Sequence, residues 1–130
     1  MKILVVGNGG REHTLAWKLA NDSAKPEIFC TPGNAGTAEL GTNLSFDATD
    51  LEGIKSWCVE NKPDLVVVGP EAPLCAGLTD LLEAEGIRVF GPCKAAAELE
   101  GSKQFAKEVM KAGGVPTSAY ETFTHSDEAC

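Results

Sequence analysis

Positive charge is scarce in this sequence: 11 Lys and Arg stand against 19 Asp and Glu, a formal net charge of −8. A nucleic-acid-binding surface needs a basic face, so the balance argues against that class of partner. It also means that any phosphate site must be built locally, because no field of the whole molecule draws anions in. Metal-binding cysteine patterns are missing too. Cys30, Cys58, Cys75, Cys93 and Cys130 are scattered, with no CxxC pair and no histidine spacing suited to zinc. An odd cysteine count in a chain that shows no signal peptide fits free thiols in a reducing cytoplasm. Nor is there a long hydrophobic run at the start. Ile3–Val6 is too short for a signal or membrane segment, so no membrane partner is expected. What remains is 130 residues, 43% of them hydrophobic, enough to bury a core. This length suits one domain, or one domain plus a piece of another.

The chain is organised around its first residues, Lys2–His13, KILVVGNGGREH. Ile3–Val6 has the β-branched, uninterrupted apolar character of a strand covered on both faces. Gly7, Gly9 and Gly10 follow at once, and Arg11, Glu12 and His13 open a helical segment. A strand passing through a glycine-rich turn into a helix N-terminus leaves backbone N–H groups unpaired and pointing one way. That is a ready anion site at the carboxyl edge of a sheet, where open α/β sheets bind ligands.

Further along, Arg11–Ala20 reads as a helix and Glu27–Cys30 as a strand, and Thr31–Gly41 as a shaped loop too rich in small residues for a regular element. Asn43–Phe46 is a minor strand candidate. Thr49-Asp50-Leu51-Glu52 matches a capping box, predicting a helix over about Asp50–Asn61. Leu65–Val68 is the clearest apolar strand. Gly69–Leu74 turns out of it into one helix carrying Leu74, Leu78, Leu81 and Leu82, with Gly86 as its stop. Ile87–Phe90 is the next strand. The alternation predicts an α/β fold with a doubly wound, mostly parallel sheet. Lys94–Glu100 reads as a short helix broken by Gly101, and Ser102 caps another to Ala112. Ala119–Phe123 looks like a strand beginning, and 124–129 like a helix cap and first turn. A strand without a partner and a helix cut at its first turn predict the N-terminal part of a longer protein, with 1–101 as one domain and 102–130 as the start of another.

The glycine-rich turn departs from a dinucleotide fingerprint, because after Gly7 and Gly9 the third glycine position holds Glu12. A bulky carboxylate there opposes both close helix packing and a pyrophosphate. No Gly-Lys-Ser/Thr follows, so it is not a Walker A loop. Arg11 opposes the helix dipole unless an anion lies nearby. His13 reads as a hydrogen-bonding or packing residue, since no nucleophile pattern accompanies it. Glu71, flanked by Pro70 and Pro73 straight after a buried strand, is placed to face the turn across the crevice. A carboxylate there suits a pair of ribose hydroxyls, though a solvated loop glutamate fits the residues equally well. Gly33, Asn34 and Gly36 form a wall of the same site or simply a glycine-rich turn.

Taken together, GNGGREH (Gly7–His13), PGNAGTA (Pro32–Ala38), VVVGPEAPL (Val66–Leu74), Gly77–Asp80, FGP (Phe90–Pro92), LEGSKQFAKEVM (Leu99–Met110) and VPTSAY (Val115–Tyr120) resemble the phosphoribosylamine–glycine ligase family of purine synthesis. They fall in family order and cover nearly the whole chain. The resemblance implies a Rossmann-like pre-ATP-grasp domain followed by the first elements of an ATP-grasp module from about Ser102. It implies a ligase that joins phosphoribosylamine to glycine through a glycyl phosphate, using ATP and Mg2+ (or Mn2+). It further implies that Gly9, Gly10 and Arg11 meet the phosphate or ribose and Glu71 the ribose hydroxyls, with Gly33, Asn34 and Pro70 beside them. The catalytic, nucleotide-gripping and metal-binding residues are expected beyond Cys130, in the remaining ATP-grasp module, so this chain alone is expected to be inactive. Rival expectations are another ATP-grasp enzyme, such as a carboxylase or formate-dependent transferase subunit, an NAD-binding module, and a purely structural domain. An NAD-binding module would need a small residue in place of Glu12.

Overall fold

The computed structural model describes residues 1–123 together with His125 and Asp127. Five strands form a single sheet: β1 (Lys2–Gly7), β2 (Glu27–Pro32), β3 (Thr42–Asn43), β4 (Leu65–Val68) and β5 (Val89–Phe90). Their order is β3-β2-β1-β4-β5, and every neighbouring pair is parallel. From β1 the chain steps outward through β2 to β3, then crosses back to lay β4 on the other side of β1. The strand order therefore reverses between β1 and β4, the position at which open α/β sheets open a crevice beyond their carboxyl ends.

Because side chains alternate across a strand, β1 feeds two cores. Leu4 and Val6 face one side with Val66, Val68, Ile54, Cys58, Leu74, Leu78, Leu82 and Ala97. Those residues come from β4 and from α3 (Leu51–Asn61), α4 (Glu71–Ala76), α5 (Leu78–Glu83) and α6 (Lys94–Gly101). Ile3 and Val5 face the other side with Ile28, Cys30, Val67 and Ala16 of α1 (Gly10–Ala20). Each fully buried aliphatic side chain contributes about 1.5–3 kcal/mol, so both faces of β1 are pinned, and with them the turn that follows it. Burial pushes the Cys58 thiol up to about 12.

Several local expectations are corrected. Within 31–41 a short helix, α2 (Ala35–Ala38), forms because Asn34 caps it, its Oδ1 accepting from the Thr37 N–H at 3.0 Å. The minor strand is Thr42–Asn43 rather than Asn43–Phe46. Helix α3 is capped by Asp50, whose Oδ1 accepts from the Gly53 N–H at 3.0 Å, while Thr49 turns its hydroxyl to Asp47. The single helix expected after β4 is two, since Gly77 at φ +100 ends α4 and α5 starts afresh. Only glycine adopts that conformation cheaply. The restart keeps Leu78 and Leu82 on the inner face and leaves Leu81 half-exposed. Helix α6 runs through Gly101, and β5 is only Val89–Phe90. Ser102 caps α7 (Lys103–Ala112) as expected, accepting from the Phe105 N–H at 3.2 Å. Residues 119–123 form no strand, since no described strand lies beside them to complete a ladder. The helix start expected over 124–129 lies mostly outside the described residues.

Candidate functional site

The carboxyl ends of β1 and β4 lie side by side, with Val6 paired to Val68 and the Gly69 N–H donating to the Val6 carbonyl at 3.1 Å. This adjacency brings the Gly7–Gly10 turn against Gly69, Pro70 and Glu71. Gly9 caps α1 in an extended conformation, and Gly10 is the first helical residue. Among the described residues, none accepts from the backbone N–H of Gly10 or Arg11. A Cβ on Gly10 would meet nothing within 4 Å, so the first turn of α1 is open to an approaching group. Pro70 caps α4 and Glu71 is its first residue, so Glu71 leaves a helix start rather than a loop. Its carboxylate and the Arg11 guanidinium approach to 4.0 Å across the crevice, with side chains 53% and 58% exposed.

Glu12 is the residue whose part in the site the sequence reading missed. It is only 4% exposed and lies in the gap between the two strand ends. A Cβ on Gly7 would sit 2.5 Å from Glu12 Cγ, and one on Gly69 would sit 2.6 Å from Glu12 Cδ. Helix and strands therefore pack closely, but with the small residues on the strands and the large one on the helix. Glu12 Oε2 accepts from the Gly9 N–H at 2.8 Å, and Oε1 accepts from Arg11 Nε at 3.1 Å. The signal was present in the sequence as paired glycines, each directly ending or following an apolar run.

The remaining wall comes from the loop after β2. Gly33, at φ +70, donates its N–H to the Gly7 carbonyl at 3.3 Å. The Asn34 amide donates to the Asn8 carbonyl at 2.9 Å, so its side chain ties α2 to the glycine-rich turn while its oxygen caps α2. The His13 ring packs against Gly36, where a Cβ would lie 2.6 Å from Nε2. The crevice thus presents a guanidinium, an exposed carboxylate and two free N–H groups on rigid elements, a set able to hold an anion and hydroxyls together. Among the described residues, no group of three His, Cys, Asp or Glu could hold a metal ion, and no helix is long and apolar enough to cross a membrane. Of the cysteines described, all are free; Cys30 and Cys58 are buried and Cys93 is exposed.

The family described as "Phosphoribosylglycinamide synthetase, N domain" matches residues 1–100. The chain belongs to this family. Among relatives of this N domain, the phosphoribosylamine–glycine ligase of Halalkalibacterium halodurans is 48% identical over 129 residues, covering 99% of the chain and 30% of the relative. The human trifunctional purine biosynthetic protein adenosine-3 is 47% identical over 131 residues, covering 99% of the chain and 13% of that protein. The chain thus spans under a third of the phosphoribosylamine–glycine ligases named here. The crystal structure of phosphoribosylamine–glycine ligase from Thermotoga maritima superposes with a TM-score of 0.67 at 33% identity, over 93% of this chain and 27% of that one. N5-carboxyaminoimidazole ribonucleotide synthetase from the same organism gives 0.74 at 17% identity, over 98% of this chain and 35% of that one, a likeness of fold alone. The five-stranded parallel fold of this chain is thus shared with both solved structures.

Proposed function

We propose that this chain is the substrate-holding N-terminal part of an ATP-dependent ligase that joins the amine of 5-phosphoribosylamine to glycine. The products are glycinamide ribonucleotide, ADP and phosphate, formed in the cytoplasm during purine synthesis. The observation that carries the reading is 48% identity to a phosphoribosylamine–glycine ligase along 99% of the chain. The crevice supports it chemically. The free N–H groups of Gly10 and Arg11, at the positive end of α1, and the Arg11 guanidinium receive the phosphate. Glu71 accepts from the paired ribose hydroxyls, which a carboxylate does with two oxygens. Gly9 holds the turn, Pro70 starts the helix that carries Glu71, and Gly33 with Asn34 wall the side. ATP and Mg2+ are assigned to the remaining length of the ligase, as the family resemblance implies. We divide the chain at about Gly101, with α7 and the residues after it belonging to the next module.

The NAD-binding alternative is not favoured at position 12, where Glu12 replaces the third glycine of the fingerprint and its Oε2 takes the Gly9 N–H that a pyrophosphate would use. An NMR amide titration of the chain with glycinamide ribonucleotide, and separately with NADH, tests both. Shifts at Gly9–Glu12 and Gly69–Glu71 with the ribonucleotide alone are the expected result. A first turn that responds to NADH instead, or to neither compound, overturns this assignment of the crevice.

A further inference from the structure

A carboxylate buried at the positive end of a helix, beneath a turn read as an anion site, needs a reason beyond filling space. Burial of a charge is costly unless it is paired and hydrogen-bonded. Glu12 has both: one oxygen takes the Gly9 N–H at 2.8 Å, and the other takes Arg11 Nε at 3.1 Å. The second bond has a geometric consequence. The guanidinium is a rigid plane, so fixing Nε fixes where its terminal nitrogens point. Arg11 Nη2 then stands 4.0 Å from Glu71 Oε2, across the mouth of the crevice and short of a tight pair. Freed from Glu12, the same guanidinium can turn its fork onto Glu71 as a two-bond pair, the preferred geometry of arginine with a carboxylate. Such a pair would occupy both groups on which the substrate reading depends.

We propose that Glu12 is a positioning residue of the phosphoribosyl site: it anchors Arg11 by Nε, keeping the terminal nitrogens available to a phosphate monoester and Glu71 available to ribose hydroxyls. The proposal rests on the crevice assignment made above, and it accounts for glycine at 69, where φ is not positive; Gly7, at φ +126, is required by its backbone as well. The two glycines make the room in which the anchoring carboxylate sits.

Glu12→Gln is the informative variant. It keeps the size of the side chain, but where Gly9 and Arg11 each use a separate carboxylate oxygen, the amide sets an NH2 donor against one of them. The chain, Glu12→Gln, Arg11→Lys and the double variant are compared by NMR, with glycinamide ribonucleotide as probe. In the parent chain the Arg11 Nε–H is expected to exchange with water at least about tenfold more slowly than that of exposed Arg88, as a charge-assisted bond requires. In Glu12→Gln that protection is lost, amides outside the crevice keep their positions, and the ribonucleotide binds about tenfold more weakly, the scale of one bond to a charged group. Because Glu12 acts through Arg11, Glu12→Gln on top of Arg11→Lys adds little further loss. Unchanged affinity in Glu12→Gln, or losses that simply add, overturns the proposal. If the parent chain binds no ribonucleotide, the crevice assignment fails by itself; the Arg11 Nε–H exchange rate still decides whether Glu12 anchors Arg11. An Nε–H as fast as that of Arg88 in the parent chain, or a Glu12→Gln chain that unfolds while Arg11 is already unprotected in the parent, also overturns it.

Discussion

At the scale of single residues, the crevice depends on a gap that two glycines keep open. Gly69 has no positive φ, so its lack of a side chain is a matter of room rather than of backbone conformation. Gly69→Ala drives a methyl against the Glu12 carboxylate and is expected to destabilise the fold by about 1–3 kcal/mol, the usual cost of overpacking. Denaturant unfolding measures this, and a cycle with Glu12→Ala isolates its origin. With the carboxylate gone the Gly69→Ala penalty should shrink sharply, whereas a penalty that persists in full would place its cause elsewhere than in this contact. Glu12 also shows how far the residue scale was legible. That position 12 breaks a dinucleotide fingerprint followed from spacing alone. That its side chain turns inward beneath the turn depends on β4 lying beside β1, a long-range pairing that no local pattern encodes.

At the scale of elements, caps decide where helices begin, and short-range chemistry offers competing caps. For α3 the capping-box pattern points to Thr49, but Asp47 captures the Thr49 hydroxyl at 2.6 Å and its N–H at 2.9 Å. The cap passes to Asp50, and the helix carries Ile54 and Cys58 into the core from there. Asp50→Ala is therefore expected to cost about 1 kcal/mol, the typical loss of an N-cap. Thermal or denaturant unfolding checks it, with Thr49→Ala, which leaves the cap in place, as the reference of smaller effect. A larger loss in Thr49→Ala than in Asp50→Ala would return the cap to Thr49. The break at Gly77 was hidden for a related reason. Leu74, Leu78 and Leu82 keep helical spacing across it, so the apolar pattern reads straight through a residue whose φ is positive.

At the scale of the whole molecule, two cores flank the sheet and a crevice opens beyond the carboxyl ends of β1 and β4, while the far end of the described chain is packed much less. Leu99, Val109, Val115, Tyr120 and Phe123 are exposed around α7, which buries none of its residues. That contrasts with α1 and α3, both anchored in the sheet. Under the proposed function, the chain by itself should release no ADP that depends on glycine and phosphoribosylamine. A coupled ADP assay checks this, and turnover above the ATP-only background would show that this length contains a catalytic centre.

What the sequence alone determined is the class of fold and the family: apolar runs of strand length, their alternation with helical patterns, and motifs in a fixed order survive without knowledge of contacts. The positions of the glycine-rich turn and Glu71 were legible for the same reason, since each follows directly from a buried strand. That β4 lies beside β1, with Glu71 facing the turn, was expected from the sequence; tertiary structure alone decided that Glu12 fills the gap between their ends and that Arg11 lies between Glu12 and Glu71. Those relations join residues about sixty positions apart, and they follow from the crossover that reverses the strand order, not from periodicity within any one segment.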